Sequence, residues 1–489
     1  MRQGFVLVVV LAASLVRPSG RSAAETPTEK RLRLLEEKLR QDEEEIRQLK
    51  GQIQQQRAIG QATQRQTEQA EEQAKAATAA TQKGVELPDW LKRTAIFGDI
   101  RARHEGFYHQ PHLKGQVVNA RNRERVRARL GFRFTYSDEL SATIRGASGD
   151  PDNPVSTNET LTGNFNRKHF NLDWAYLTFA PGTSFGMRPG VLSINLGKFP
   201  NPVFRAGDSL IGQLVFDDDL SPEGASETVS LLAKPVGALD QVKIHALQWT
   251  FAEIANREDG WMFGGQVNPS LHFGSVQVDA GLAEYWWLNP DLIAQALSRN
   301  TTAFTAAGAP VANSNFNGSL INTNLLVTKR VQPPQLRPGT TPAAFNAITG
   351  FQSGFNESNF TFAATIPNVV VAQPLRFFAD YVYNWEAATD DAHGVLAGLR
   401  LGQTKTRGDW AVTGFWEHLG QEAVISAFTY DDFGNGGTNV EGPVAQLEYQ
   451  LLNPLTIAAR SHFVNFINRP TGSTNPTFTR VQLDAMLKF

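Results

Sequence analysis

The densest run of chemically capable side chains is Arg121-Asn-Arg-Glu-Arg-Val-Arg-Ala-Arg-Leu-Gly-Phe-Arg-Phe134. Arg121, Arg123, Arg125, Arg127, Arg129 and Arg133 keep an even spacing, with Val126, Ala128, Leu130, Phe132 and Phe134 on the alternate positions. Just upstream, Asp99, Arg101, Arg103 and Glu105 share that spacing. Guanidinium groups are permanent cations whose forked donors suit carboxylates and other anions. The carboxylates available to oppose them lie in two stretches, Gly197-Lys-Phe-Pro-Asn-Pro-Val-Phe-Arg-Ala-Gly-Asp208 and Val215-Phe-Asp-Asp-Asp-Leu-Ser-Pro-Glu-Gly224. These carry Arg205 and Asp208, then Asp217, Asp218, Asp219 and Glu223. Clustered carboxylates could instead hold a hard cation such as Ca²⁺. A third chemistry is acyl transfer, with Ser209 as nucleophile and Asp390 and His393 as its supporting pair.

Composition narrows these options. Among 489 residues there is no cysteine, which removes disulfides, thiolate zinc sites and cysteine nucleophiles. The 46 Lys+Arg and 48 Asp+Glu nearly cancel, unlike the basic balance of a nucleic-acid binder. The nine histidines show no ligand spacing, so neither a structural metal nor a cofactor is expected. Mean hydropathy is -0.29. The one apolar run that approaches membrane-helix length is N-terminal, so helical transporters are excluded.

Three segments must position the chemistry. Residues 1–24 read as a secretory signal peptide, with the apolar core Phe5–Val16 and small residues Ser22-Ala23-Ala24 at the cleavage site. Residues 25–89 read as a periplasmic helical stalk and linker. Leu32, Leu39, Ile46 and Ile53 fall at heptad position a, with Leu35 and Leu49 at d. Such a seam needs partner helices, so the stalk predicts self-association. From residue 90 to 489 the period changes to two. A helix would scatter the arginines around its circumference, whereas a strand places all of them on one face.

This last segment divides into strands near 94–108, 120–136, 138–149, 167–180, 190–199, 224–235, 240–254, 260–269, 271–288, 351–367, 374–386, 392–403, 408–420, 441–452, 454–467 and 477–489. The expected fold is therefore all-β, a sixteen-stranded antiparallel transmembrane barrel behind an α-helical coiled coil. Splitting 289–350 or 421–440 into a hairpin would raise the count to eighteen. Short and long connections alternate, as periplasmic turns and extracellular loops do. An arginine facing lipid at the bilayer midplane costs about 2–4 kcal/mol, so the arginine face is expected to line water. Trp286-Trp287, Trp385, Trp410, Trp416 and Tyr430 are candidates for interfacial aromatic girdles.

The last strand, Thr479-Arg-Val-Gln-Leu-Asp-Ala-Met-Leu-Lys-Phe489, resembles that of Gram-negative outer-membrane barrels, where a terminal Phe is read by the assembly machinery. That resemblance makes Phe489 an assembly signal. Phe97-Gly-Asp-Ile-Arg-Ala-Arg103, the arginine ladder, Gly197–Pro202 and Phe216–Gly224 resemble outer-membrane porins that carry a coiled coil before the barrel. The resemblance covers residues 90–489. It implies a water-filled channel for passive diffusion of small hydrophilic solutes and ions, a homotrimer, and no enzymatic chemistry. In general porins the loop after the fifth strand folds into the barrel. By that likeness Arg205, Asp208, Asp217, Asp218, Asp219 and Glu223 belong to a constriction loop, its carboxylates facing Arg101, Arg103 and the ladder across a water-filled gap.

Two rivals remain. Gly207-Asp208-Ser209-Leu210 and Asp390-Asp-Ala-His393 resemble the signature of GDSL esterases, yet the α/β alternation such enzymes need is missing. Alternatively, the barrel anchors an envelope tether, since about 50 helical residues would reach roughly 75 Å. Deleting 28–83 should weaken oligomers on native gels. Unaltered oligomers would mean that the seam does not hold subunits together.

Overall fold

The computed structural model describes residues 88–489 except 113, 115–117, 208–212, 255–257, 298, 305–309, 313–316, 333–342, 371–372, 470 and 475, together with isolated positions between 38 and 50. The signal peptide and the coiled-coil seam lie outside the described residues.

Sixteen strands run β1 (Thr94–Tyr108), β2 (Arg121–Ser137), β3 (Leu140–Ser148), β4 (Phe170–Phe179), β5 (Leu192–Lys198), β6 (Glu223–Ser230), β7 (Leu239–Ala252) and β8 (Gly260–Phe273). They continue as β9 (Val276–Leu288), β10 (Asn356–Val370), β11 (Gln373–Asn384), β12 (His393–Gly402), β13 (Trp410–Leu419), β14 (Val440–Leu452), β15 (Leu455–Phe466) and β16 (Phe478–Lys488). Each pairs antiparallel with its sequence neighbours. Pairing of β1 with β16, from Asp99↔Lys488 to Tyr108↔Thr479, closes the barrel. Closure leaves no strand edge unpaired, which is what a sheet in lipid requires. Phe489 extends the seam, with its N–H and C=O both bonded to Gly98.

The expected eighteen-strand alternative is not realised. Leu326–Val331 pairs with Phe345–Phe351, and Arg299–Phe304 with Pro310–Ala312, in separate two-stranded sheets. Both belong to the 289–355 connection. The 420–439 segment contains no strand. Connections alternate as expected: 138–139, 274–275 and 453–454 on one end, and 149–169, 199–222, 289–355 and 420–439 on the other.

Strand periodicity sorts the residues. Along β14 buried and exposed positions alternate through most of the strand, with Leu447, Tyr449 and Leu451 outward and Gln446, Glu448 and Gln450 inward. On β16, Leu483 and Leu487 are exposed while Arg480, Gln482 and Asp484 are buried. Trp286, Trp385 and Trp416 lie exposed on the outer wall, as girdle residues should. Trp287 and Tyr430 do not belong to a girdle. Both are buried inside, because Trp287 is one residue out of phase with Trp286 and Tyr430 sits on a loop.

An apolar core occupies the interior. It joins Phe199, Leu214 and Phe216 of the 199–222 loop to Val424, Ile425 and Phe433 of the 420–439 loop and to inward residues such as Leu247 and Tyr285. A sixteen-stranded barrel is too wide for its own side chains to fill, so loops supply the filling. Where β14 leaves the 420–439 loop, Gly442 has φ 148°, and a Cβ there would lie 1.9 Å from the Phe463 carbonyl oxygen. Gly442→Val should cost about 2 kcal/mol or more through backbone strain and collision. It should melt earlier in heat-shift gels, whereas Gly414→Ala, whose Cβ would meet only Val444 O at 3.9 Å, should melt like wild type.

Candidate functional site

Even spacing on paired strands stacks the charged residues of β1 and β2 into rows, with Asp99 opposite Arg129, Arg101 opposite Arg127, Arg103 opposite Arg125 and Glu105 opposite Arg123. On the other side of β1, Arg103 faces Asp484 of β16. These rows form a continuous ion-pair network rather than a bare cationic wall. Arg127 Nε lies 2.9 Å from Asp99, and Arg129 Nη2 lies 2.6 Å from the same carboxylate. Glu105 accepts from Arg123 Nε and Arg480 Nη2, each at 2.5 Å. Arg145 pairs with Asp173 and lies flat on Trp174, 3.2 Å from its ring centre.

Two loops descend into this network. The 199–222 loop touches inward residues from opposite walls, which only a segment inside the barrel can do. Asp219 lies 3.0 Å from Arg129 Nη1 on β2, while the Leu214 N–H donates to Asp380 of β11 at 3.2 Å. Asp219 also accepts from the Thr157 N–H and hydroxyl. The 420–439 loop brings Asp432, which accepts from Arg103 at 2.8 Å and Arg480 at 2.7 Å and lies 3.5 Å from Arg460. The loops also grip each other. The Asp217 N–H donates to Phe428 O at 2.8 Å, the Asp431 N–H to the Asp217 carboxyl at 3.0 Å, and the Thr429 hydroxyl to Leu214 O at 2.6 Å.

The placement of the expected site residues is uneven. Arg101, Arg103, Arg125 and Arg127 are buried, Arg123 and Arg129 are half-buried, and Arg121 and Arg133, toward the strand ends, are exposed. Arg101 donates to Asn158 at 2.6 Å. The water-filled gap expected between arginines and carboxylates is closed by direct contacts at Asp219. Asp217, Asp218 and Glu223 do not join Asp219 on the arginines. Consecutive loop residues point in different directions, so Asp217 turns to the 420–439 loop and Asp218 pairs with Arg205 at 2.5 Å. Glu223 starts β6 and pairs with Lys198 at 2.8 Å. Pointing apart, these carboxylates do not converge on one cation. Asp208 and Ser209 lie outside the described residues. Asp390 and His393 sit where a loop enters β12, and the exposed His393 ring stacks on His418 at 5.9 Å.

The 420–439 loop was missed as a site element. A signal was present: Ala423-Val-Ile-Ser-Ala-Phe428 is too apolar for a solvated loop, and Asp431-Asp432 follows two residues later. Burial raises both loop carboxyls, but their charged neighbours leave them shifted in opposite directions. Desolvation opposes charge on Asp432, but Arg103, Arg480 and Arg460 hold its carboxyl well below the usual range. Asp431 is pushed up to about 6, by burial first and then by the neighbouring Asp432, with Arg480 and Arg125 acting against the rise. Asp219 is drawn down, against its own desolvation, by Arg127 and Arg129. Burial and the nearby Asp431 drive Asp217 well up.

A closed sixteen-stranded barrel, apolar outside and charged inside, is the architecture of an outer-membrane channel. The chain belongs to the family described as "Putative porin", whose model matches residues 108–489, and it is an outer-membrane porin. Similar solved structures include OprB of Pseudomonas putida, at 11% identity over 82% of this chain and 96% of that one, with a TM-score of 0.45. OmpF of Salmonella typhi in complex with daunomycin matches at 10% identity over 81% and 97%, with a TM-score of 0.43. An L8 loop-deletion form of OmpT of Vibrio cholerae matches at 9% over 81% and 99%, with a TM-score of 0.41. No curated protein matches the chain in sequence.

Asp431 makes the loop contact pH-dependent. Its raised native value means the folded protein binds that proton more tightly, so stability should fall as pH rises from about 4, the unfolded value, to about 6. Asp432 and Asp219 titrate below this window and should not mask it. Urea-unfolding midpoints should therefore decline across pH 4–6 more steeply in wild type than in Asp431→Asn, where the likewise raised Asp217 keeps part of the slope. A parallel decline in both would show that Asp431 does not set the slope.

Proposed function

We propose that the protein carries small hydrophilic solutes and ions by passive diffusion past a constriction built from the β1–β2 arginines and the 199–222 and 420–439 loops. The observation that carries this reading is the direct contact of Asp219 and Asp432 with wall arginines, which fixes both loops across the lumen. Charged groups at a narrowing govern which ions pass. On the short-turn side of the loops lies a cavity of about 430 Å³ lined by Arg376, Arg400, Lys405 and Lys488, with Glu448 as a counter-charge. Its basic lining favours anions, in keeping with the arginines above it. The channel reading requires no catalysis, so the Ser209 and His393 chemistry has no role in it.

Residues 1–24 act as the export signal and 25–89 as a periplasmic stalk for a homotrimer in this reading, with Phe489 presented to the barrel assembly machinery. The tether alternative shares the stalk but needs no conducting lumen. Planar-bilayer recording separates the two, because the diffusion channel gives stepwise conductance and a pure anchor gives none. Asp219→Asn leaves Arg127 and Arg129 with one carboxylate fewer, so its reversal potential in a salt gradient should move toward anions. An unchanged reversal potential would place Asp219 off the ion path.

A further inference from the structure

Among the described residues, three inward rows set arginine directly opposite arginine: Arg101 and Arg127, Arg103 and Arg125, and Arg376 and Arg400. Like charges placed opposite each other on paired strands repel. In the first two rows the inward loops bring carboxylates, Asp219 to 3.8 Å from Arg127 and Asp432 to 2.8 Å from Arg103. The third row, on β11 and β12, is met differently. Glu448 pairs with Arg400, but among the described residues no carboxylate lies within ion-pair distance of Arg376. The 199–222 loop offers Arg376 only the Ala206 carbonyl, which accepts from its Nη2 at 2.8 Å. The Nε and Nη1 groups have no partner among the described residues, and the side chain is half-buried rather than sealed.

Against this arginine pair lies the cavity of about 430 Å³ on the short-turn side, an ordinary volume for a small-molecule site. Lys405, from the turn after β12, and Lys488 of β16 also line it, so its lining holds four cations and one carboxylate, Glu448. Asp409, whose charge acts on Lys405, is committed to the backbone N–H groups of Lys405 and Thr406 at 3.0 and 2.9 Å. The lining is also fixed in place. Buried Gln450 donates to the Leu452 and Asn453 carbonyls at 2.7 and 2.9 Å and accepts from the Thr456 hydroxyl at 2.9 Å. Because the cations arrive from separate elements, an anion with oxygens on several sides suits them better than a planar carboxylate. Guanidinium and phosphate form paired, charge-assisted hydrogen bonds. Thr365, Gln403 and Thr404 add hydroxyl and amide groups, which suit a hydroxylated body.

We propose that this cavity is a binding station for small phosphomonoesters with a hydroxylated body. The phosphate lies between Arg376, Lys405 and Lys488. It supplies from solution the counter-charge that a loop supplies in the other two rows. The proposal names a solute class for the diffusion channel and rests on that reading for passage only, since binding requires no conduction.

Titration calorimetry on the full chain in nanodiscs of zwitterionic lipid, with empty nanodiscs as baseline, tests it at a pH of about 7.5, where a phosphomonoester is close to doubly charged. Glucose 6-phosphate should bind, and more weakly as salt rises. Gluconate, of similar size but with one carboxylate, should bind about tenfold more weakly, and glucose should give no heat. Arg376→Gln should weaken glucose 6-phosphate about tenfold, the worth of one charge-assisted hydrogen bond. Lys405→Gln, in an exposed turn, should also weaken it and serves if Arg376→Gln fails to assemble. Lys243→Gln removes an exposed cation of β7 that does not line the cavity, and should leave binding unchanged. Absent binding, equal binding of gluconate or glucose, full affinity in both cavity variants, or an equal loss in Lys243→Gln would overturn the proposal. A barrel silent in bilayers that still binds glucose 6-phosphate would overturn the diffusion reading instead.

Discussion

The structure depends on arginines buried beside carboxylates inside a barrel too wide to fill itself. Removing a charge from water costs several kcal/mol, and a low-dielectric site repays this only when the partners are close and their remaining hydrogen-bonding capacity is met. Here Arg103 is met by Asp484 and Asp432, Arg480 by Glu105 and Asp432, and Arg127 and Arg129 by Asp99 and Asp219. Three of those five carboxylates, Asp99, Glu105 and Asp484, come from the wall and two, Asp219 and Asp432, from the loops. The wall therefore cannot be electrically satisfied unless the loops are in place, and the loops are in place because the wall needs them.

Apolar packing completes what the ion pairs begin. Phe216 reaches Trp249 and Tyr285 across the lumen, and Phe428 stacks on Trp287. Each loop is thus held by charge on one flank and by aromatic contact on the other. The charged flank lies on β1, β2, β15 and β16, and the aromatic flank on β7 to β9. Solute passing between the loops and the wall would meet a strongly polar side and an apolar side, so the lumen is chemically asymmetric across its width as well as along its axis.

Much of this was legible in order of residues. Arg121 to Arg133 could be placed on one face because a strand repeats every two residues, whatever surrounds it. The same rule put Arg480, Gln482 and Asp484 opposite Leu483 and Leu487 on β16. It failed for Trp287, read together with Trp286 although the two neighbours must face opposite ways. It was silent for Asp217, Asp218 and Asp219, because a loop has no period and each carboxylate follows its local backbone. The apolar run 423–428 passed unremarked because its significance appears only when a lumen exists for it to enter.

By itself the sequence narrowed the strand count to sixteen or eighteen and determined the inward and outward sets and the closing strand ending in Phe489, since these follow from a local repeat and from the requirement that lipid meet apolar atoms. The tertiary structure alone decided which cations meet which carboxylates. Arg103 and Asp484 are separated by 381 positions and Arg103 and Asp432 by 329. No local pattern encodes a pairing at that distance. It is set when the barrel closes and the two loops compete for the same wall of arginines, which turns an expected bare cationic face into a neutralised, loop-bearing one.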